Sequence, residues 1–177
     1  MDTRQLIPAE AAAYPGLRDL YESAFPPEER IPWDDLLRLV DAMPLEFEVA
    51  EDAGRLLGMT IVYPRPLHPW FWYFAVPAPL RGAGIGQRIL SRLVARHASR
   101  HPVLDMEDPD QPDAPNPEQR RRRLAFYLRN GFRPTGLHRV FGPVAMTLLV
   151  HGDAVLRDAD WDALLAELFR IWRPQRR

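Results

Sequence analysis

The chain is predicted to fold as an α/β (α+β) domain, with a mixed, mostly antiparallel central sheet flanked by helices. Two observations carry this. The hydrophobic pattern runs helices, then an alternating strand pair, then strand–helix–strand–helix, then a second strand pair, an order that fits a mixed sheet covered by helices. The stretch from Trp70 to Asp108 also joins an apolar strand to another strand through a glycine turn and a helix, a parallel crossover expected to be right-handed.

The elements follow in order. Residues 9–25 carry Leu17, Leu20, Tyr21, Ala24 and Phe25 at helical spacing, and Pro26-Pro27 ends that helix. Asp34 is placed to cap a second short helix holding Leu36, Leu37, Val40 and Met43. Leu45, Phe47 and Val49 alternate with Glu46 and Glu48, a half-buried strand; Ala53-Gly54 turns the chain into a partner strand, Leu56–Tyr63. Residues 69–76 form an aromatic strand, and residues 85–99 a helix broken by His101-Pro102. Val103–Asp108 is a short strand with Val103, Asp105 and Glu107 on one face and Leu104, Met106 and Asp108 on the other. Four prolines in residues 109–117 exclude regular structure there. Residues 118–130 form a helix closed by Asn130-Gly131. Phe132–Phe141 and Ala145–Val150 pair around Gly142-Pro143. Trp161, Leu164, Leu165, Leu168, Ile171 and Trp172 make an amphipathic C-terminal helix at about 158–172.

At 177 residues the chain reads as one domain, 1–177, able to bury about 70% of its unfolded surface. Its net charge of -1 gives no global pull toward nucleic acid or membrane, and the tail Arg173–Arg177 is too short to argue for nucleic acid. There is no cysteine, which excludes disulfides, thiolate metal sites and a cysteine nucleophile. All 23 basic residues are arginine, which removes lysine Schiff bases and the lysine of an ATP-binding P-loop. The five histidines are scattered; His97 and His101 share i, i+4 spacing, but Pro102 follows and no third ligand is evident, so no metal is expected. No signal pattern or membrane-length apolar run is present, and a cytoplasmic location is expected.

The run from Pro79 to Gln87 is the most informative stretch. A strand, a glycine turn and a helix start together make a phosphate site, because glycine admits positive φ and the free N–H groups at the helix start face an anion. A dinucleotide fold wants G-x-G-x-x-G, but Gln87 stands where the last glycine belongs. A P-loop wants lysine. The pattern [RQ]-x-x-G-x-[GA] is met by Arg81, Gly84 and Gly86. Here the chain resembles the GNAT N-acyltransferase superfamily, which binds the pyrophosphate of acetyl-CoA on this turn. The resemblance extends through Tyr73-Phe74-Ala75-Val76-Pro77 before the turn, and returns at Phe126-Tyr127-Leu128-Arg129-Asn130-Gly131-Phe132, close to the family's F-Y-x-x-x-G-F. It covers roughly residues 45–150.

The resemblance implies roles. Backbone N–H groups from Ala83 through Ile85 and Gly86 to Gln87, with Arg81 and Gly82 in the turn, would hold the pyrophosphate. The strand at Phe74, Ala75 and Val76 would splay from its parallel neighbour and pair its main chain with the pantetheine arm. Tyr127 would be the general acid near the sulfur. The chemistry also asks for a base to deprotonate the amine and an N–H donor for the oxyanion. Glu107 is the first candidate base and Asp105 the second, both near the carboxyl end of a parallel strand. Glu28 and Glu29 follow the Pro26-Pro27 break, where relatives build the acceptor pocket, and either could bind a cationic acceptor or act as base. Relatives often carry asparagine and a small residue where this chain has Arg120 and Arg123. The run Arg120–Arg123 is expected to form a solvated, salt-bridged face, with the 3′-phosphate of CoA or the acidic run from Asp105 to Asp113 as alternative partners.

The expected function is acetyl-CoA-dependent N-acetyl transfer to a small amine or peptide amine by direct attack on the thioester. The alternatives are a non-catalytic acyl-CoA binding or regulatory domain and a nucleotide-binding module. The acceptor pocket is expected from the 26–35, 64–69 and 141–144 loops, bordered by the proline-rich loop 109–117. The chain could be a monomer or homodimer, with Trp161 and Trp172 packing within the domain or across a dimer.

Overall fold

The computed structural model describes residues 1–172; the arginine-rich end of the tail lies outside them. A seven-stranded sheet runs in the order β1-β2-β3-β4-β5-β7-β6. Its strands are β1 Asp2–Gln5, β2 Glu46–Asp52, β3 Arg55–Tyr63, β4 Trp70–Ala75, β5 Val103–Glu107, β6 Phe132–Phe141 and β7 Val144–His151. The helices are α1 Pro8–Ala13, α2 Leu17–Ala24, α3 Trp33–Ala42, α4 Ile85–His97, α5 Pro117–Arg129 and α6 Asp158–Ile171. Every neighbouring strand pair is antiparallel except β4–β5. The mixed α/β class follows from this pattern, as the order of apolar stripes predicts.

Apolar alternation sorts the side chains onto two faces. On one face Phe47, Ile61, Tyr73, Val103 and Leu148 pack with Leu17 and Tyr21 of α2, Leu36 of α3 and Trp161 and Leu164 of α6. On the other, Phe71, Leu104 and Met106 pack with Leu90 and Leu93 of α4 and Tyr127 of α5. Gly58 of β3 allows α4 to sit close: an added Cβ would lie 2.7 Å from Ile89 Cδ1 and 2.8 Å from the Ala75 carbonyl oxygen. Trp161 is fully buried in the first of these clusters, and Trp172, partly buried, packs at its margin.

Four features differ from the sequence expectation. The predicted helix over 9–25 is two helices, α1 and α2, because Pro15 interrupts the hydrogen-bond ladder and Gly16 takes a left-handed φ of 73° at the start of α2. Asp34 does not cap α3; Pro32 is the N-cap residue and Asp34 lies inside the first turn, where its charge suits the helix dipole. The edge strand β1 was not predicted at all, and all four of its residues are exposed. The helix after the glycine turn ends at His97 and continues as a 3-10 turn to Arg100.

Candidate active site

Strands β4 and β5 are adjacent and parallel, yet they share a single register pair, Trp70 with Val103. Beyond it the strands part, leaving the β5-facing edge of β4 without a strand partner. The opening is a cleft of about 800 Å³ lined from both faces of the sheet: by Phe25 and Glu29 on the α2 side, and by Arg123, Phe126 and Tyr127 of α5 on the other. A bulge in β4 adds to the irregularity. Tyr73 pairs with Ile61 and Phe71 with Val62, so Trp72 is the extra residue.

The glycine turn closes one end of the cleft. Gly82 and Gly84 hold left-handed φ values of 82° and 76°, and Gly84 caps α4. Among the described residues, no backbone N–H from Gly82 to Gln87 has a protein acceptor, and the first bond of the helix runs from Arg88 to Gly84. These donors and the positive end of α4 make an anion cradle. Arg81 donates from Nε to the Val76 carbonyl at 3.0 Å, tying the turn to the end of β4. Phe74, Ala75, Val76, Arg81, Gly82, Gly84, Gly86 and Gln87 all line the cleft. Ala83 and Ile85 do not; Ile85 is instead buried against Ala50, Leu57 and Ile89, although its N–H and that of Ala83 remain free.

The carboxylates gather at the other end. Glu107, buried at the end of β5, receives Arg120 Nη2 at 2.9 Å on one oxygen and Arg123 Nη1 at 2.7 Å on the other. Asn116 Nδ2 adds a bond at 3.3 Å. Arg120 is buried as well and donates to the Asp108 carbonyl, Gln111 Oε1 and Asn116 Oδ1, so it fastens the proline-rich loop to the sheet. Glu29 stands near Glu107. Burial first, and then the charge of Glu107, lift the Glu29 carboxyl from 4.5 to about 7, against the opposing pull of Arg123 and Arg120. The loop that carries Glu29 is pinned by Arg30, which donates to the Glu22 and Phe25 carbonyls at 3.1 and 2.7 Å. Tyr21 and Tyr73 hold the next residue, Ile31, through its carbonyl and its N–H. Asp105 accepts a 2.7 Å bond from Trp70 Nε1, and burial raises its carboxyl to about 6.

Tyr127 lines the cleft between these ends, and burial pushes its phenol to about 12. Its hydroxyl has no protein partner among the described residues. Its ring is held by Phe126 and Phe132 at centroid distances of 5.4 and 5.8 Å.

Several sequence expectations change on this geometry. Glu29, Glu107 and Asp105 come together, but Glu28 is exposed and does not line the cleft. Of the three loops expected around the acceptor, 26–35 supplies Glu29, whereas no residue of 64–69 or 141–144 lines the cleft. The arginine run is not one solvated face: Arg120 and Arg123 turn onto Glu107, while Arg122 is exposed beside Glu118. Phe25 and Trp72 were missed; the first is masked by its role in a helical stripe, the second by a bulge with no sequence signature. Among the described residues, no group of three His, Cys, Asp or Glu side chains could hold a metal, and no helix is long and apolar enough to cross a membrane.

The comparisons fall on the same segments. The profile of the acetyltransferase (GNAT) domain matches residues 44–134. No curated protein sequence matches the chain. A GNAT-family protein from Bacteroides thetaiotaomicron superposes with a TM-score of 0.77 at 23% identity, over 97% of this chain and 97% of that one. An aminoglycoside 6'-N-acetyltransferase complexed with coenzyme A gives 0.64 at 18% identity, over 89% of this chain and 100% of that one. A Salmonella typhimurium protein solved with its cofactor acetyl-CoA gives 0.59 at 19% identity, over 90% and 98%.

Proposed function

The chain belongs to the GNAT acetyltransferase family, and from that premise we propose that it is an N-acetyltransferase using acetyl-CoA as cosubstrate and an amine as acceptor. The observation that carries this is the two-ended cleft through the sheet, with free N–H donors on the glycine turn at one end and carboxylates at the other. An anionic thioester carrier fits the first end and a cationic amine the second. Solved relatives bound to coenzyme A and to acetyl-CoA support the choice of carrier.

The roles follow from position. The N–H groups from Gly82 to Gln87 bind the pyrophosphate, and the free edge of β4 at Phe74, Ala75 and Val76 pairs with the pantetheine amides. Glu29 takes the proton of the incoming ammonium. Its raised proton affinity places it near the operating pH, where a general base is most effective. Glu107, first among the sequence candidates, has both oxygens committed to arginines, and we assign it the task of holding Glu29 in place and setting its affinity. The amine nitrogen then bonds to the thioester carbon, and a backbone N–H of β4 stabilises the oxyanion. When the carbon–sulfur bond breaks, Tyr127 donates its proton to the departing thiolate and recovers one from the nitrogen, which becomes the amide.

The test is CoA thiol release from acetyl-CoA over a panel of amines. Wild type turns over at least one amine, and Tyr127→Phe lowers kcat about 100-fold or more while leaving CoA affinity within about 3-fold. An unchanged kcat removes Tyr127 from the mechanism. CoA binding with no turnover on any amine supports the non-catalytic acyl-CoA binding alternative instead.

A further inference from the structure

Resting on the transfer reading above, we infer that the acceptor is a small monocationic primary amine on an apolar, aryl-sized body, and not a polycation. Two independent features of the acceptor end point there.

The first is an aromatic wall created by the bulge. An extra residue in β4 puts the consecutive Trp72 and Tyr73 on the same face, where their rings stack at 5.0 Å and 28°. Trp72 also stacks on Trp70 at 4.8 Å and 22°, and Phe25 meets Tyr73 edge-on at 4.8 Å. Phe25, Trp72 and Tyr73 all line the cleft. Such a surface favours a flat or branched hydrocarbon body.

The second is the charge census. Glu29 from the 26–31 loop and Asp105 and Glu107 from β5 are the only carboxylates lining the cleft among the described residues. Arg123 of α5 lines the cleft beside them, and Arg120, which does not line it, backs Glu107; both arginines are paired with Glu107. Even with every carboxylate ionised, three negative charges against two positive leave a single one for the acceptor. A second ammonium would be desolvated beside an aromatic wall with no counter-charge. The remaining arginines on the cleft, Arg81, Arg122 and Arg129, belong to the glycine turn and the solvent side of α5.

The experiment compares 2-phenylethylamine, spermidine, kanamycin and an apolar tripeptide as acceptors, by thiol release, and follows binding of each to the CoA-bound protein by tryptophan fluorescence. 2-Phenylethylamine is expected to exceed the polyamines in kcat/KM by at least about 10-fold. Trp72→Phe should retain that preference, and Trp72→Ala should lower kcat/KM for 2-phenylethylamine about 10-fold while CoA affinity stays within about 3-fold. Preference for spermidine, kanamycin or the tripeptide overturns the acceptor class and leaves the transfer reading standing. Saturable fluorescence quenching by 2-phenylethylamine without turnover of any amine does the reverse. Neither turnover nor quenching by it overturns the acceptor class outright.

Discussion

Replacing Glu29 with glutamine should make the protein less active and more stable. In the folded chain Glu29 sits at about 7 instead of its ordinary 4.5. A carboxyl raised in the folded state contributes fully below its unfolded value, and that contribution is lost as pH rises through the folded value. A difference of this size corresponds to about 3 kcal/mol. Glu29 is only partly buried, so solvent screening reduces the effect to about 1–2 kcal/mol. Glutamine matches the protonated acid in shape and does not ionise. Wild type and Glu29→Gln should therefore melt close together near pH 4.5. At pH 8 the variant should melt about 2–8 °C higher, at about 2–4 °C per kcal/mol for a chain of this size. Its kcat/KM should fall about 100-fold or more, and the wild-type acid limb near pH 7 should vanish. The assay is paired thermal denaturation across that pH range alongside pH–rate profiles. A variant melting at or below wild type at pH 8 refutes the placement of Glu29 against Glu107.

Two further substitutions probe the supports of the cleft. Arg120 and Glu107 side chains are each 3% exposed, so Arg120→Met leaves a buried charge under-compensated and should cost about 3–5 kcal/mol, read as a large drop in melting temperature. The double variant with Glu107→Leu should recover much of that loss, and a single variant within about 2 °C of wild type would contradict a formed buried pair. At Gly84 an added Cβ meets nothing within 4 Å, but φ is 76°. Gly84→Ala should thus cost about 1–2 kcal/mol through the backbone alone and raise KM for acetyl-CoA; an unchanged KM would remove the turn from cosubstrate binding.

Much of this was legible in the sequence where a local rule had no competitor. The glycine turn follows from Gly82 and Gly84, since only glycine adopts their φ values cheaply. The β2–β3 pair follows from the alternation of Phe47 and Val49 with Glu46 and Glu48, although β2 is not half-buried as expected: Glu48 is buried too, held by Arg96 of α4. Illegible features depend on partners distant in sequence. β1 has no buried face of its own and exists because β2 offers a free edge. The break at Pro15-Gly16 was visible as residues but outweighed by the apolar stripe from Leu17 to Phe25. The contact between Glu29 and Glu107 has no sequence signature, since it needs the α2–α3 loop folded back by Arg30, Tyr21 and Tyr73 over the end of β5.

The arginine run shows how the two levels join. Four consecutive helical residues point around the axis, so no more than part of the run can face one partner. Arg120 and Arg123, three apart, share a face with Tyr127, which lies seven and four residues further on, and that face meets the sheet. The departure from the asparagine that relatives often carry at Arg120 is therefore matched by an acid, Glu107, at the strand end it faces. Two guanidiniums hold the Glu107 carboxylate, and the charge of Glu107 favours the protonated form of Glu29 across the cleft. Neither arginine would be tolerated there without the acid, because each is withdrawn from water on at least part of its surface. The substitution and the proton affinity of the proposed base are thus one electrostatic arrangement, and a change at Arg120 should register in the pH dependence set by Glu29.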